Sequence, residues 1–198
     1  MLVLAAWVAG FGLGSIPFGY LLVRFLGRGD IRELGSGNIG ATNVGRLLGA
    51  PGWIVTLALD GGKGVAGVAI GAWLAPGDPA ALAAGAAGAV LGHCYTPWLG
   101  GRGGKGVATL LGAFGFLAPI PTLIAIAGFA LTVLATRWVS LGSLVAVVVL
   151  VIAMPSRGEP AQYAYAAAIV CVVVFHRHRE NIRRLINGAE ARVGGGSS

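Results

Sequence analysis

Six long apolar stretches, separated by short polar segments, dominate the chain and predict helices that cross a membrane. A helix needs about 20 apolar residues to cross the hydrocarbon core of a bilayer. The stretch at 107–135 is longer than one such helix needs and shorter than two would need. Pro119 and Pro121 interrupt it. We therefore expect two short helices there, meeting at 118–121. The other predicted helices are 2–25, 53–75, 80–99, 138–154 and 161–175.

The basic residues between these helices predict the orientation of the chain, because short cytoplasmic loops carry an excess of lysine and arginine. With seven helices, most basic residues fall on one face, which holds the polar loop after the first helix, the loop with Arg102 and Lys105, Arg137 and the tail at 176–185. The opposite face holds Asp78, Arg157 and Glu159. We expect the N-terminus outside and the C-terminus in the cytoplasm. A count of five helices, in which 107–135 forms an interfacial element, keeps this orientation and stays open.

Composition agrees with an all-α, polytopic membrane helix bundle. Of the 198 residues, 56% are hydrophobic and 11% are charged, whereas soluble domains carry about 25% charged residues. We expect one domain over 1–188 and a flexible tail over 189–198. The net charge of +7 lies in short loops, which favours anionic lipid headgroups and anionic substrates over nucleic acid. Cys94 and Cys171 are interpreted as small apolar side chains, without a disulfide or a metal.

Residues 35–46, Gly-Ser-Gly-Asn-Ile-Gly-Ala-Thr-Asn-Val-Gly-Arg, combine the groups that hold a phosphate. Glycine lets a backbone fold so that several N–H groups converge on one anion. Hydroxyl groups can donate to phosphate oxygens, and an arginine can bind two oxygens at once. The sequence therefore predicts an anion site here. The candidate contacts are Ser36, Gly37, Asn38, Gly40, Thr42, Asn43 and Arg46.

Residues 100–106, Gly-Gly-Arg-Gly-Gly-Lys-Gly, form a second candidate phosphate site before the predicted helix at 107. A glycine-rich turn, a lysine and a helix N-terminus together favour anion binding, because the helix end presents N–H groups and a partial positive charge. The candidate residues are Gly103, Gly104, Lys105 and Gly106. Lys105 is followed by glycine instead of the serine or threonine of a P-loop, which argues against ATP. The alternative is a basic loop that anchors on lipid headgroups.

Asp60 and Lys63 lie three residues apart in the second predicted helix, on one face of it. Uncompensated charges inside a membrane are costly, so we expect these two to pair or to face a polar cavity. Two interpretations stay open: a structural ion pair, with Asp60 as a structural residue, or Lys63 as a phosphate ligand at the floor of the anion site. His93, at the end of the third predicted helix, could help shape the site, but an interfacial histidine among aromatic residues is more often structural.

The basic tail at 176–185 is the third polar motif. In a helix, His178 and Asn181 would share a face, and Glu180 would reach Arg183 and Arg184. A histidine there could orient or deprotonate a hydroxyl group near neutral pH. The alternative is an ordinary basic helix beside the membrane.

At these residues the chain resembles the PlsY family of membrane glycerol-3-phosphate acyltransferases, which use acyl-phosphate as donor. The resemblance rests on Gly-Ser-Gly-Asn-Ile-Gly-Ala-Thr-Asn at 35–43, Gly-Gly-Lys-Gly-Val-Ala-Thr at 103–109 and His-Arg-Glu-Asn-Ile at 178–182. It extends over essentially residues 1–188. It implies that acyl-phosphate and sn-glycerol-3-phosphate react to 1-acyl-glycerol-3-phosphate and phosphate, at the cytoplasmic side of a bacterial inner membrane. It implies no cofactor, no metal and no protein partner.

The resemblance also implies a role for each motif. Ser36 and Arg46 would be essential to substrate handling, and Lys105 with the second motif would bind phosphate. His178 and Asn181 would complete the site, and Glu180 would hold the tail together. Acyltransferases that use acyl-CoA carry a His-x-x-x-x-Asp pair, which this chain lacks. That absence agrees with a different donor.

Acyl-phosphate is already activated, so our mechanistic hypothesis is direct attack of the substrate hydroxyl on the acyl carbonyl. The base is either His178 or an oxygen of the substrate phosphate, and an acyl-Ser36 intermediate is the rival mechanism. A different class of function, transport of phosphorylated metabolites, predicts paired discontinuous helices and internal repeats, and we find no convincing repeat. A CDP-alcohol phosphotransferase needs several aspartates for two metals. Only Asp30, Asp60 and Asp78 exist here, which excludes that class.

Overall fold

The computed structural model describes residues 1–194, and within them nine α-helices and two short 3-10 turns form an all-helical fold. The predicted fold class is confirmed. The chain divides into two compact units, one over Met1–Leu117 and one from Ala118 onward. The helices are α1 (Leu2–Gly14), α2 (Phe18–Phe25), α3 (Ala41–Leu74), α4 (Pro79–Cys94), α5 (Val107–Leu117), α6 (Pro119–Thr136), α7 (Val139–Ser156), α8 (Ala161–Arg177) and α9 (Arg179–Ile186).

Four helical segments in the described part of the chain are long and apolar enough to cross a membrane. These are Leu2–Phe25, Ala41–Leu74, Pro119–Thr136 and Val139–Ser156. Two shorter apolar helices, α5 and α8, accompany them. The predicted number of crossings, seven or five, and the predicted orientation stay predictions.

The first apolar stretch is interrupted where the sequence predicts one continuous helix over 2–25. Helix α1 ends at Gly14 and α2 begins at Phe18, so Ser15–Pro17 separate the two helices. Proline has no N–H group and its ring clashes with the preceding turn, so Pro17 ends one helix and begins the next. The break leaves main-chain carbonyls that side chains of other elements satisfy: Thr96 Oγ1 donates to Ser15 O at 2.6 Å, and Lys63 Nζ donates to Ile16 O at 2.8 Å.

Helix α4 is the centre of the first unit, and most of its residues are buried. Glycines bring its backbone close to those of α1 and α3. A methyl group added at Gly88 would overlap the Trp7 carbonyl oxygen of α1, and one added at Gly85 would overlap the Gly67 carbonyl oxygen of α3. Glycine costs a helix about 1 kcal/mol relative to alanine. Here close backbone packing, which small residues permit in membrane helix bundles, accounts for its use.

Helix α3 begins at Ala41, twelve residues before the predicted start at 53. Its first two turns are separated from the long apolar part by a kink at Gly49, which has φ 72° and ψ −165°. Only glycine adopts this conformation readily, and Pro51 then occupies a position near the start of the second part. Helix α4 ends at Cys94 instead of the predicted 99, and a 3-10 turn over Pro97–Leu99 follows it.

The break predicted at 118–121 is confirmed. Helix α5 ends at Leu117 and α6 begins at Pro119, where a missing N–H group costs nothing because the first turn of a helix has no internal acceptor. In the second unit, α6 packs along α7, and α7 also contacts α8 and α9.

Candidate active site

The side chain of Asn43 shapes the first glycine-rich motif from inside. Its Oδ1 accepts a hydrogen bond from the Ser36 amide at 2.9 Å, and its Nδ2 donates to Leu34 O at 3.0 Å and to Asn38 O at 2.9 Å. Asn43 is 1% exposed. The structure therefore gives Asn43 a structural role in place of the predicted phosphate contact, because all three of its hydrogen bonds go to the backbone of the motif or of Leu34 just before it.

The remaining polar side chains of this motif lie at the surface. Ser36, Thr42 and Arg46 are exposed. The amide of Gly40, however, donates to Asn38 Oδ1 at 2.9 Å, and the amide of Gly37 donates to Leu34 O at 3.0 Å. These N–H groups hold the loop together. The hydroxyl and guanidinium groups, with the side-chain amide nitrogen of half-buried Asn38, are therefore the parts of the motif that can meet a substrate anion.

A small apolar cluster fastens this motif to the rest of the first unit. Ile39 and Val44 pack with Val23 of α2 and with Leu99 of the 3-10 turn that precedes the second motif. Gly19 of α2 lies directly against Ile39, since an added methyl group would overlap the Ile39 carbonyl oxygen. One hydrophobic cluster thus joins the segments that carry the two glycine-rich motifs.

The second motif folds back onto the end of α4. The amide of Gly104 donates to His93 O at 3.0 Å, and the amide of Gly103 donates to Cys94 O at 3.2 Å. The predicted binding of phosphate by these two N–H groups does not fit this arrangement, because both already donate to carbonyl oxygens. Lys105 follows them, half-buried.

Gly106 has φ 85°, a value that favours glycine, and its carbonyl accepts the Leu110 amide at 2.8 Å at the start of α5. The first N–H groups of α5 lack intrahelical acceptors, as at the start of every helix. The positive end of this helix therefore lies directly after Lys105. This part of the predicted anion site is compatible with the structure.

A buried cluster of Asp60, Lys63 and His93, here called the Asp60 cluster, lies between α3 and the end of α4. Lys63 Nζ is 3.0 Å from Asp60 Oδ1, and His93 Nδ1 is 3.6 Å from the same oxygen. All three residues are less than 5% exposed. The structure therefore supports the ion-pair interpretation, with Asp60 as a structural residue. The alternative, Lys63 as a phosphate ligand at the floor of the anion site, does not fit this arrangement, because its ammonium group binds Asp60 and Ile16 O inside the bundle.

The third motif belongs to the second unit. His178 is buried, and its Nδ1 lies 2.8 Å from Val174 O. A carbonyl oxygen can only accept, so Nδ1 carries the proton, and Nε2 is the acceptor atom of the neutral ring. Asn181, also buried, donates from Nδ2 to Glu190 Oε1 at 2.6 Å.

Glu190 holds the tail in the way that the sequence predicts for Glu180. Its Oε2 accepts from Arg184 Nε at 2.7 Å, whereas Glu180 is exposed and lies 3.9 Å from Arg179. The expectation that Glu180 pairs with Arg183 and Arg184 is therefore wrong. Burial by itself raises the pKa of Glu190, but hydrogen bonds, including those from Asn181 and Arg184, outweigh it and hold the pKa below its ordinary value.

The segment after Gly188, predicted to be a flexible tail, makes specific contacts as far as it is described. Trp138 Nε1 donates to Glu190 O at 3.2 Å, and the Val193 amide donates to Arg137 O at 2.8 Å. Residues 195–198 of that predicted tail lie outside the described residues. The cause of the difference is local: the αL turn at Arg137 exposes a carbonyl group that the returning chain can satisfy.

Comparison with known proteins shows the family of this chain. The family model described as glycerol-3-phosphate acyltransferase matches residues 4–188. The chain belongs to the glycerol-3-phosphate acyltransferase family. It is 48% identical to the glycerol-3-phosphate acyltransferase of Brucella canis over 98% of this chain and 94% of that one, and 46% identical to that of Brucella anthropi over 96% and 93%.

Two solved structures of the same family resemble this acyltransferase. PlsY (YgiH), an integral membrane glycerol 3-phosphate acyltransferase, matches in its glycerol 3-phosphate form with a TM-score of 0.88 and 36% identity, covering 98% of this chain and 94% of that chain. Its lysophosphatidic acid form matches with a TM-score of 0.84 and 34% identity, covering 96% and 93%. This chain is therefore an integral membrane acyltransferase, as its sequence predicts.

For two residues of the acyltransferase the structure decides what the sequence did not: the sequence left open whether His93 helps shape the site, and it gave Glu190 no role. His93 supports the second motif, and Glu190 binds Asn181. His93 lies ten residues before Gly103, at the end of a helix, and this position is the sequence feature that places it near the second motif. The position by itself does not distinguish a histidine that supports the motif from one at the membrane interface. Glu190 lies beyond the last motif in a segment rich in glycine, which the composition assigned to a tail.

Proposed function

We propose that this acyltransferase uses acyl-phosphate as donor and acylates the 1-hydroxyl of sn-glycerol-3-phosphate, giving 1-acyl-sn-glycerol-3-phosphate and inorganic phosphate. A bond forms between the hydroxyl oxygen and the acyl carbon, and the bond from that carbon to the phosphate oxygen breaks. The hydroxyl proton goes to a base. The glycerol 3-phosphate and lysophosphatidic acid forms of the structural relatives support this assignment of acceptor and product.

The observation that carries the proposal is the joining of two basic, glycine-rich motifs by one apolar cluster, through Ile39, Val44 and Leu99. Both substrates carry a phosphate, so the reaction needs two places for anions. Arg46 is exposed on the first segment, and Lys105 lies on the second, immediately before α5. Fixed cations close to both phosphates would neutralise them and stabilise the charge that develops on the acyl oxygen.

We assign the exposed hydroxyl of Ser36 to hydrogen bonding with a phosphate or with the acyl carbonyl, instead of nucleophilic attack. Asn38 and Thr42 would assist at the same motif, and Asn181 would complete the set of polar contacts. The base is His178, through Nε2, or an oxygen of the substrate phosphate. If an acylated Ser36 is trapped with labelled donor, or if the kinetics are ping-pong, direct transfer is refuted and the acyl-enzyme mechanism takes its place.

The distribution of basic residues supports a location in the inner membrane of a bacterium, with the three motifs on the cytoplasmic side. Acyl-phosphate, glycerol-3-phosphate and membrane lipids would then be the only partners that the reaction needs. Accessibility of a cysteine introduced at exposed Arg102, tested from each side of sealed vesicles, checks this location.

The experiment that tests the donor is an assay of purified protein with palmitoyl-phosphate and, separately, with palmitoyl-CoA, at one concentration of glycerol-3-phosphate. Product formation with palmitoyl-phosphate and release of inorganic phosphate are expected. Activity with the CoA ester alone would overturn the assignment. Lys105→Met, which keeps the length of the side chain but removes its charge, serves as the variant in which turnover with palmitoyl-phosphate must fall.

A further inference from the structure

The Asp60 cluster reaches both glycine-rich motifs of the first unit without belonging to either. On one side, Lys63 Nζ donates to Ile16 O in the break between α1 and α2, and it lies 5.6 Å from the centre of the Phe18 ring. Phe18 and Gly19 begin α2, which packs against the first motif at Ile39. The cluster therefore fixes the element on which the first motif rests.

On the other side, His93 supports the second motif through two kinds of contact. Its main-chain carbonyl accepts the Gly104 amide at 3.0 Å. Its ring lies against the same glycine so closely that a methyl group added at Gly104 would overlap Nε2. The backbone immediately before Lys105 therefore follows the surface of the imidazole ring.

The Asp60 carboxylate is the negatively charged group beside that ring. The carboxylate is 3.6 Å from His93 Nδ1 and 3.0 Å from Lys63 Nζ, so it can attract both groups at once. A carboxylate, an ammonium group and an imidazole are expensive to bury. Three apolar side chains of similar volume would fill the same space, but they would supply no imidazole ring held against Gly104.

We propose that His93 is a positioning residue for Lys105, oriented by the Asp60–Lys63 pair. The imidazole sets the path of the Gly103–Gly104 backbone, and that path sets the position of the Lys105 ammonium group. This inference rests on the proposed role of Lys105 in binding a substrate phosphate. It adds that the affinity for this phosphate depends on a buried histidine that touches no substrate.

The test compares the KM values for glycerol-3-phosphate and for palmitoyl-phosphate in variants at positions 93 and 104. His93→Asn keeps a donor near Nδ1 but removes the ring edge that supports Gly104. We expect one of the two KM values to rise about tenfold or more with a smaller change in kcat, because a displaced Lys105 weakens binding of the phosphate in the ground state and the transition state alike. His93→Gln, whose amide reaches farther, should raise the same KM less.

A double-variant cycle with Gly104→Ala separates positioning from a general loss of structure. Gly104→Ala alone should raise the same KM, since its methyl group overlaps the ring. In His93→Asn/Gly104→Ala the shorter side chain makes room for that methyl group, so the double variant's KM should not exceed that of the worse single variant. Multiplying effects would overturn the proposal, as would unchanged KM values in folded His93→Asn.

Two controls make the outcome decisive. His176→Asn, the same change at an exposed histidine, should leave both KM values and the melting temperature unchanged. If His93→Asn does not fold in detergent, the cycle is run with His93→Gln. Lys105→Met separates the phosphate role of Lys105 from the positioning role of His93. Unchanged KM values in Lys105→Met refute the phosphate role. A raised KM in Lys105→Met with unchanged KM values in the His93 variants refutes only the positioning role.

Discussion

The Asn43 side chain accepts the amide hydrogen of Ser36 at 2.9 Å, across seven residues of the first motif. The same side chain binds two carbonyl oxygens, so it determines the path of the loop that presents the Ser36 hydroxyl. A residue that looks like a substrate ligand in the sequence is thus the internal support of the residues that can be ligands.

Asn43→Asp is therefore expected to disable the loop although it is nearly isosteric. The carboxylate keeps an acceptor for the Ser36 amide but loses both donors, and it faces the carbonyl oxygens of Leu34 and Asn38. Leaving buried groups unpaired costs about 1–3 kcal/mol each. We expect a lower melting temperature and a strongly reduced kcat/KM, measured on protein purified in detergent. Asn187→Asp, at an exposed position, is the matched control, and an equal loss there would refute the explanation.

Glu190 makes the stability of the second unit dependent on pH. Its folded-state pKa is lower than the ordinary value of 4.5, so the folded state favours the carboxylate. The resulting stabilisation is complete above about pH 4.5 and is lost as the pH falls from there through the lower folded-state pKa. Melting temperatures should fall over that range in the parent protein, and less in Glu190→Gln. Glu180→Gln should behave like the parent protein, and the reverse order would restore the original prediction for Glu180.

Removing one charge from the Asp60 cluster should lower the free energy of unfolding more than removing two. Lys63→Met leaves a buried carboxylate without its cation, a situation that costs about 3–5 kcal/mol. Asp60→Asn/Lys63→Met removes both charges, and most of that stability should return. Thermal unfolding in detergent measures both. Arg157→Met, at an exposed position at the end of α7, should change little, and a double variant less stable than Lys63→Met would contradict the pairing.

Two glycines of α3, two residues apart, should respond in opposite ways to alanine. At Gly64 a methyl group would overlap the Thr109 carbonyl oxygen of α5, whereas at Gly62 a methyl group would have no atom of another helix within 4 Å. Gly62→Ala should be neutral or stabilising by up to about 1 kcal/mol, because alanine is the better helix former. Gly64→Ala should destabilise the protein by separating α3 from α5. Equal melting temperatures for the two variants would show that the helices are not in close contact.

Much of the fold was accessible from the sequence because its causes are local. The lengths of the apolar stretches and the two prolines at 119 and 121 predicted most helix positions. The helix break at Ser15–Pro17 was missed because a single proline inside a long apolar run is also compatible with a kinked helix. The early start of α3 was missed because 41–52 is polar and rich in glycine, a composition that also suits a loop.

By itself, the sequence determined the all-helical membrane fold, the family and the three motifs, since hydrophobic periodicity and residue chemistry are properties of short segments. The tertiary structure decided which motif residues face outward and which support them. Asn43, Lys63, Gly103 and Gly104 have the chemistry of phosphate ligands, yet their polar groups bind other parts of the protein. A donor or acceptor that binds another part of the protein is no longer available to a substrate, and only the packed structure shows which partner each group has.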